Sequence, residues 1–160
     1  MKNRHKGFDK HNYLYLSKWA SAFNLSFSSH EILSNKIIGL DGIKRKILVA
    51  EKNNESGRPY IIELAKVTAI TVKKIYNSIK VGALKTRRIE EFLESILLQF
   101  EYANEKDAIV LPFYERKLNE IQDLRELEKK ARNWQTILSK IAATQNNGLV
   151  EEKRELHLIE

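Results

Sequence analysis

The chain has 160 residues with 28 Lys+Arg against 21 Asp+Glu, a net charge of +7, and 42% of its residues are hydrophobic. That apolar share can close the core of one globular domain and argues against disorder, while 6 Gly and 2 Pro exclude collagen-like or proline-rich architecture. With 0 Cys, a disulfide framework, a Cys-ligated zinc site, an iron–sulfur cluster and a thiol nucleophile are all excluded, which is compatible with a reducing compartment.

The chain opens on Met1-Lys2-Asn3-Arg4-His5-Lys6. This reads as a basic arm over 1–9 and not as a signal peptide, because Asp9, Lys10, His11 and Asn12 interrupt any apolar stretch behind it. Asp9 is placed to cap a helix over 10–23, in which Leu16, Trp19, Ala20 and Phe23 recur at i, i+3, i+4 and i+7. Ser26, Ser28 and Ser29 end that pattern.

From 32 to 113 the texture is that of short strands. Ile37-Ile38 and Ile47-Leu48-Val49 flank Asp41-Gly42, a dipeptide suited to a tight hairpin through its tolerance of positive φ. Turn-formers over 52–58 and Pro59 precede Tyr60-Ile61-Ile62. Residues 67–76 are rich in β-branched side chains, and simple alternation puts Val67, Ala69, Thr71 and Lys73 on one face and Thr68, Ile70, Val72 and Lys74 on the other. Residues 89–102 fit two periods. Ile89, Phe92, Leu93, Ile96, Leu97 and Phe100 fit a helical stripe, whereas Ile96, Leu98, Phe100 and Tyr102 alternate as in a strand. A strand over 95–102 agrees better with its neighbours. Ala108 to Phe113 reads as the last strand, with Pro112 near its end or on a sheet edge.

A long amphipathic helix is predicted over 119–143, where Leu124, Leu127, Ala131, Trp134, Leu138 and Ile141 step by three and four. Glu126–Lys130 and Glu128–Arg132 stand at i, i+4 on its polar side, and Gly148 is a natural stop. Residues 144–160 are then a C-terminal tail, and 10–143 a single domain. No apolar run approaches the roughly 20 residues of a spanning helix.

A helix, about seven short strands and a terminal helix carrying Trp134 together resemble the pleckstrin-homology superfold. The resemblance implies an α+β fold, with a bent antiparallel barrel of seven strands sealed at one end by the C-terminal amphipathic helix. Trp134, with Leu127, Ala131 and Leu138 beside it, would be the core of that seal, and the helix 10–23 would be an addition. The phrases Lys36-Ile37-Ile38-Gly39-Leu40-Asp41 and Ala131-Arg132-Asn133-Trp134 are also similar to uncharacterised bacterial proteins, some with membrane segments ahead of such a domain.

Catalytic chemistry finds little support. His5, His11, His30 and His157 form no metal-ligand spacing, the glycines match neither G-x-G-x-x-G nor a P-loop, and no serine stands in a G-x-S-x-G elbow. Glu90, Glu91 and Glu94 are adjacent acids, a pattern usually met on a solvated face. No enzyme activity and no cofactor are therefore expected, and an enzyme stands only as the alternative of a catalytic site without a local sequence motif.

Charge is more informative. Residues 1–90 carry net +11 and residues 91–160 net −4, so an anionic partner is expected to meet the first part. The candidate anion- or lipid-surface residues are Lys44, Arg45 and Lys46 after the Asp41-Gly42 turn, Lys36 on the preceding strand, and a second cluster of Lys85, Arg87 and Arg88. Converging cations give charge-assisted hydrogen bonds to phosphate. Lys73-Lys74 is a third basic pair. If the hairpin register allows, Lys36, Lys44 and Lys46 share a face and Arg45 points away, unlike the K-x-R arrangement of lipid-binding pleckstrin-homology domains. The expected role is a non-catalytic interaction module, its partner another protein or an anionic membrane surface, located in the cytoplasm or at the inner face of a membrane. Nucleic acid is the less favoured polyanion, since no aromatic RNA-binding motif or basic recognition helix is present.

Overall fold

The computed structural model describes residues 10–52, 57–104 and 106–158, with side chains of the last helix as far as residue 143. The expected N-terminal arm, with His5 and the capping Asp9, lies outside the described residues. The fold is α+β: among the described residues seven antiparallel strands form two sheets, and a long helix follows them. No ladder among the described residues joins the two sheets into the closed barrel expected from sequence. Two compact units result, divided after Glu63.

In the first unit α1 spans Lys10–Phe23, followed by β1 (Ser29–Ile32), β2 (Lys36–Asp41), β3 (Lys46–Glu51) and β4 (Tyr60–Glu63), hydrogen-bonded in that order. The start of β1 at Ser29 is earlier than the sequence pattern suggested. Leu16 of α1 packs with Leu25, Ile37, Leu48 and Ala50, joined at the margin by Tyr15, Trp19, Phe27 and Ile61. The buried stripe lies on the predicted face but one turn earlier: Asn12 is buried and Phe23 is exposed. The shift follows from how the helix ends. Asn24 takes a left-handed φ of 52°, the Leu25 amide donates to the Ala20 carbonyl at 2.8 Å, and the Asn24 amide donates to that of Ser21 at 3.3 Å. This pair of bonds is a Schellman stop, and it turns Leu25 into the core in place of Phe23. The two central strands are buried on both faces, which is why their apolar runs are continuous and do not alternate.

The second unit holds β5 (Val67–Tyr76), β6 (Leu93–Tyr102), β7 (Ile109–Glu115) and α2 (Leu124–Leu158), with β6 in the middle of its sheet. Three register shifts shape it. Val67 faces Tyr102 but Ala69 faces Glu101, so Thr68 is bulged and the predicted alternation of β5 breaks. Val67 and Ile70 are consequently both buried, although simple alternation assigned them opposite faces. Likewise Ile96 faces Tyr114 while Leu97 faces Pro112, which bulges Phe113 and lets Phe113 and Tyr114 both enter the core. The third shift lies between Ile75 and Tyr76. Residues 95–102 are strand as expected, and β6 extends back to Leu93; the helical signal from 89 belongs to one tight 3-10 turn, Ile89–Phe92.

α2 packs on all three strands of this sheet. Leu124, Leu127, Ala131, Trp134 and Leu138 are its buried stripe, as the sequence predicted, and Trp134 is 6% exposed. The helix begins at Leu124 and not at 119, because Glu115–Asn119 close a turn of their own and Ile121–Asp123 form a 3-10 turn. Its backbone continues through Gly148 to Leu158, so most of the expected tail is helical. A glycine costs a helix interior only about 1 kcal/mol relative to Ala, which the flanking residues can offset. Among the described residues no helix is long and apolar enough to cross a membrane.

Candidate functional site

The β2–β3 hairpin is organised by a carboxylate. Asp41, 2% exposed, accepts hydrogen bonds from the backbone amides of Ser26 (2.8 Å), Lys44 (2.8 Å) and Ile43 (3.1 Å). Burial works to raise its pKa, but these three amides and the nearby Lys44 charge outweigh burial and hold it below the usual aspartate value. The turn is Gly42–Arg45, and the residue in left-handed conformation is Arg45, with φ 56°. The predicted tight Asp-Gly hairpin is therefore not formed, because the Asp41 side chain takes the turn amides and draws the connection out to four residues. Arg45 lies in the turn, so strand alternation does not set its direction.

This geometry separates the first candidate cluster. Lys36 pairs with Glu51 at one end of the ladder, and Lys46 pairs with Asp41 at the other. Lys36 shares a face with Ile38 and Leu40, whereas Lys46 shares one with Gly39 and Ile37, so the register puts the two lysines on opposite faces. The Lys44 ammonium donates to the Asn24 carbonyl. Lys36, Lys44 and Lys46 do not converge on one phosphate-sized point.

In the second unit, several basic side chains are tied to carboxylates. Lys74 reaches Glu128 of α2 at 2.6 Å, and Glu128 also holds Arg132 at 3.0 Å. The Lys74 hydrogen bond is the main cause that lowers the Glu128 pKa, partial burial opposes it, and Arg132 adds to the lowering. The sequence placed Glu128 on the solvent side with Arg132 alone; its strand partner was missed because that contact depends on tertiary packing. Arg87 pairs with Glu91 at 3.0 Å and lies 4.6 Å from the ring centre of Phe92. Glu94 accepts from Asn77 and stands 3.8 Å from Arg116. A groove of about 370 Å³ runs past Glu91, Arg116, Tyr114 and Ile121. Glu91 and Glu94 thus each face a cation.

The connection between β5 and β6 is different. A hairpin needs only two to five residues, yet this one occupies everything from Asn77 to Phe92. Among the described residues Lys80, Lys85 and Arg88 have no carboxylate partner and are exposed. Beside them Val81 is fully exposed, Leu84 is 53% exposed and Ile79 is 36% exposed. Lys85, Arg87 and Arg88 stand out in the sequence as a basic cluster, whereas Lys80 and the apolar neighbours do not. A plain signal was present, since residues 64–89 contain seven Lys+Arg and no Asp or Glu. Among the described residues no group of three or more His, Asp or Glu is placed to hold a metal ion. Comparison with protein-family models, curated proteins and solved structures finds no match.

Proposed function

We propose that the protein is a non-catalytic interaction module on a pleckstrin-homology-like scaffold, peripheral to an anionic membrane surface. The scaffold reading is supported by seven antiparallel strands followed by a helix whose mid-length Trp134 is buried. The partner reading is carried by one observation: the cations Lys80, Lys85 and Arg88 stand exposed on one connection, with no carboxylate in residues 64–89 to neutralise them. Each Lys or Arg near an anionic leaflet contributes about 1 kcal/mol of attraction, screened by salt.

Flotation of the full chain with phosphatidylcholine vesicles, with and without phosphatidylserine, tests this. Binding is expected with the anionic vesicles, falling steeply as salt is added. Equal flotation with both compositions at every salt concentration, or none with either, would refute the reading. In the latter case a protein partner becomes the leading candidate.

A further inference from the structure

We infer that the β5–β6 connection is a membrane-insertion loop, with Val81 and Leu84 entering the acyl boundary of an anionic bilayer while Lys80, Lys85 and Arg88 hold its phosphates. This rests on the membrane-surface reading above and goes further, since electrostatic attachment alone leaves every side chain in water.

The loop is built and not merely long. At its foot the Asn77 amide donates to the Phe92 carbonyl at 2.8 Å, and Arg87 is pinned between Glu91 and the Phe92 ring. At its tip the Ala83 amide donates to the Lys80 carbonyl at 3.1 Å and the Lys85 amide to that of Gly82 at 3.2 Å. Gly82 takes a φ of 82°, and a side chain there would meet nothing within 4 Å, as befits an apex. The tip therefore presents Val81 and Leu84 in a defined conformation, so little ordering entropy opposes insertion.

The composition selects the occupant. Ile79, Lys80, Val81, Leu84 and Lys85 bring apolar and basic side chains together on one connection, with no acid among them. An anionic bilayer offers partners for both, with phosphates above hydrocarbon, and long basic side chains can reach up while apolar ones go down. The buried centre of a protein interface is depleted in lysine, which disfavours a protein partner for this patch. A nucleic acid would use the cations but leave Val81 and Leu84 in water.

The absence of cysteine makes a site-specific reporter simple. An environment-sensitive fluorophore is attached to Val81→Cys and, as a control, to Ile43→Cys, a position 92% exposed on the other unit. With phosphatidylcholine/phosphatidylserine vesicles the label at 81 is expected to shift to the blue and the label at 43 to stay aqueous. Val81→Asp with Leu84→Asp should weaken vesicle binding about tenfold or more, and replacing Lys80, Lys85 and Arg88 by Ala about a hundredfold. All five positions are exposed, and an unchanged near-ultraviolet circular dichroism spectrum verifies folding. If the labelled chain floats with anionic vesicles but the label at 81 stays aqueous, insertion is wrong and the surface reading stands. Binding to a homopolymeric oligonucleotide with none to vesicles would overturn both.

Discussion

Asp41 shows how much one side chain can decide. Its carboxylate joins the segment after α1 to the β2–β3 turn through three amide hydrogen bonds. Asp41→Ala strands those donors and is expected to destabilise the fold by about 2–4 kcal/mol, read from urea unfolding. Because its folded pKa is depressed, its contribution is fully present above the unfolded value and is lost as pH falls through the folded one. Stability measured from neutral to acidic pH should therefore fall less steeply in Asp41→Asn than in the wild type. Gly39 is a second decisive position. A methyl group there would sit 2.7 Å from the Phe27 ring, so Gly39→Ala should cost about 1–3 kcal/mol, and Phe27→Leu in the same chain should recover part of it. Neither role was legible beforehand. Asp41-Gly42 carries a strong local hairpin signal, but one carboxylate oxygen of Asp41 accepts from the amide of Ser26, fifteen positions away in sequence.

At the level of elements, α2 was the most legible part. Its three-and-four spacing depends only on its own sequence, and Leu127, Ala131, Trp134 and Leu138 all face the sheet. Trp134→Ala is expected to cost about 3–5 kcal/mol in thermal or urea unfolding, whereas Ile137→Ala, exposed on the same helix, should cost far less. Glu128 links α2 to β5, but it is partly solvated, so Glu128→Gln should cost about 1 kcal/mol or less, and the difference should shrink in high salt. The strands were legible as runs and less so as faces. Bulges at Thr68 and Phe113 move later residues to the other side of the pleat, and no local pattern announces them.

At the scale of the whole molecule, the sequence offered two basic clusters, and the fold disperses the first of them. Lys36 and Lys46 looked clustered because they are close in sequence, yet register parts them. The β5–β6 cations come to notice only through the lack of Asp or Glu in residues 64–89, a property of a long window and not of any short motif. If the loop meets a bilayer, its Lys and Arg peptide bonds become inaccessible. Limited trypsin digestion should cut the free chain early between Lys80 and Arg88, and anionic vesicles should slow that cleavage severalfold while neutral vesicles do not.

The bulge beside Pro112 has a further consequence. β7 lies at the margin of its sheet, Pro112 supplies no amide hydrogen, and Phe113 is out of step with β6. A strand interrupted in this way is a poor template for a neighbouring chain. On the opposite margin Gln135 of α2 donates to the Ile70 carbonyl at 3.1 Å, occupying an acceptor that an incoming strand would need. The three-stranded sheet is thus a poor template for fibril growth at either margin.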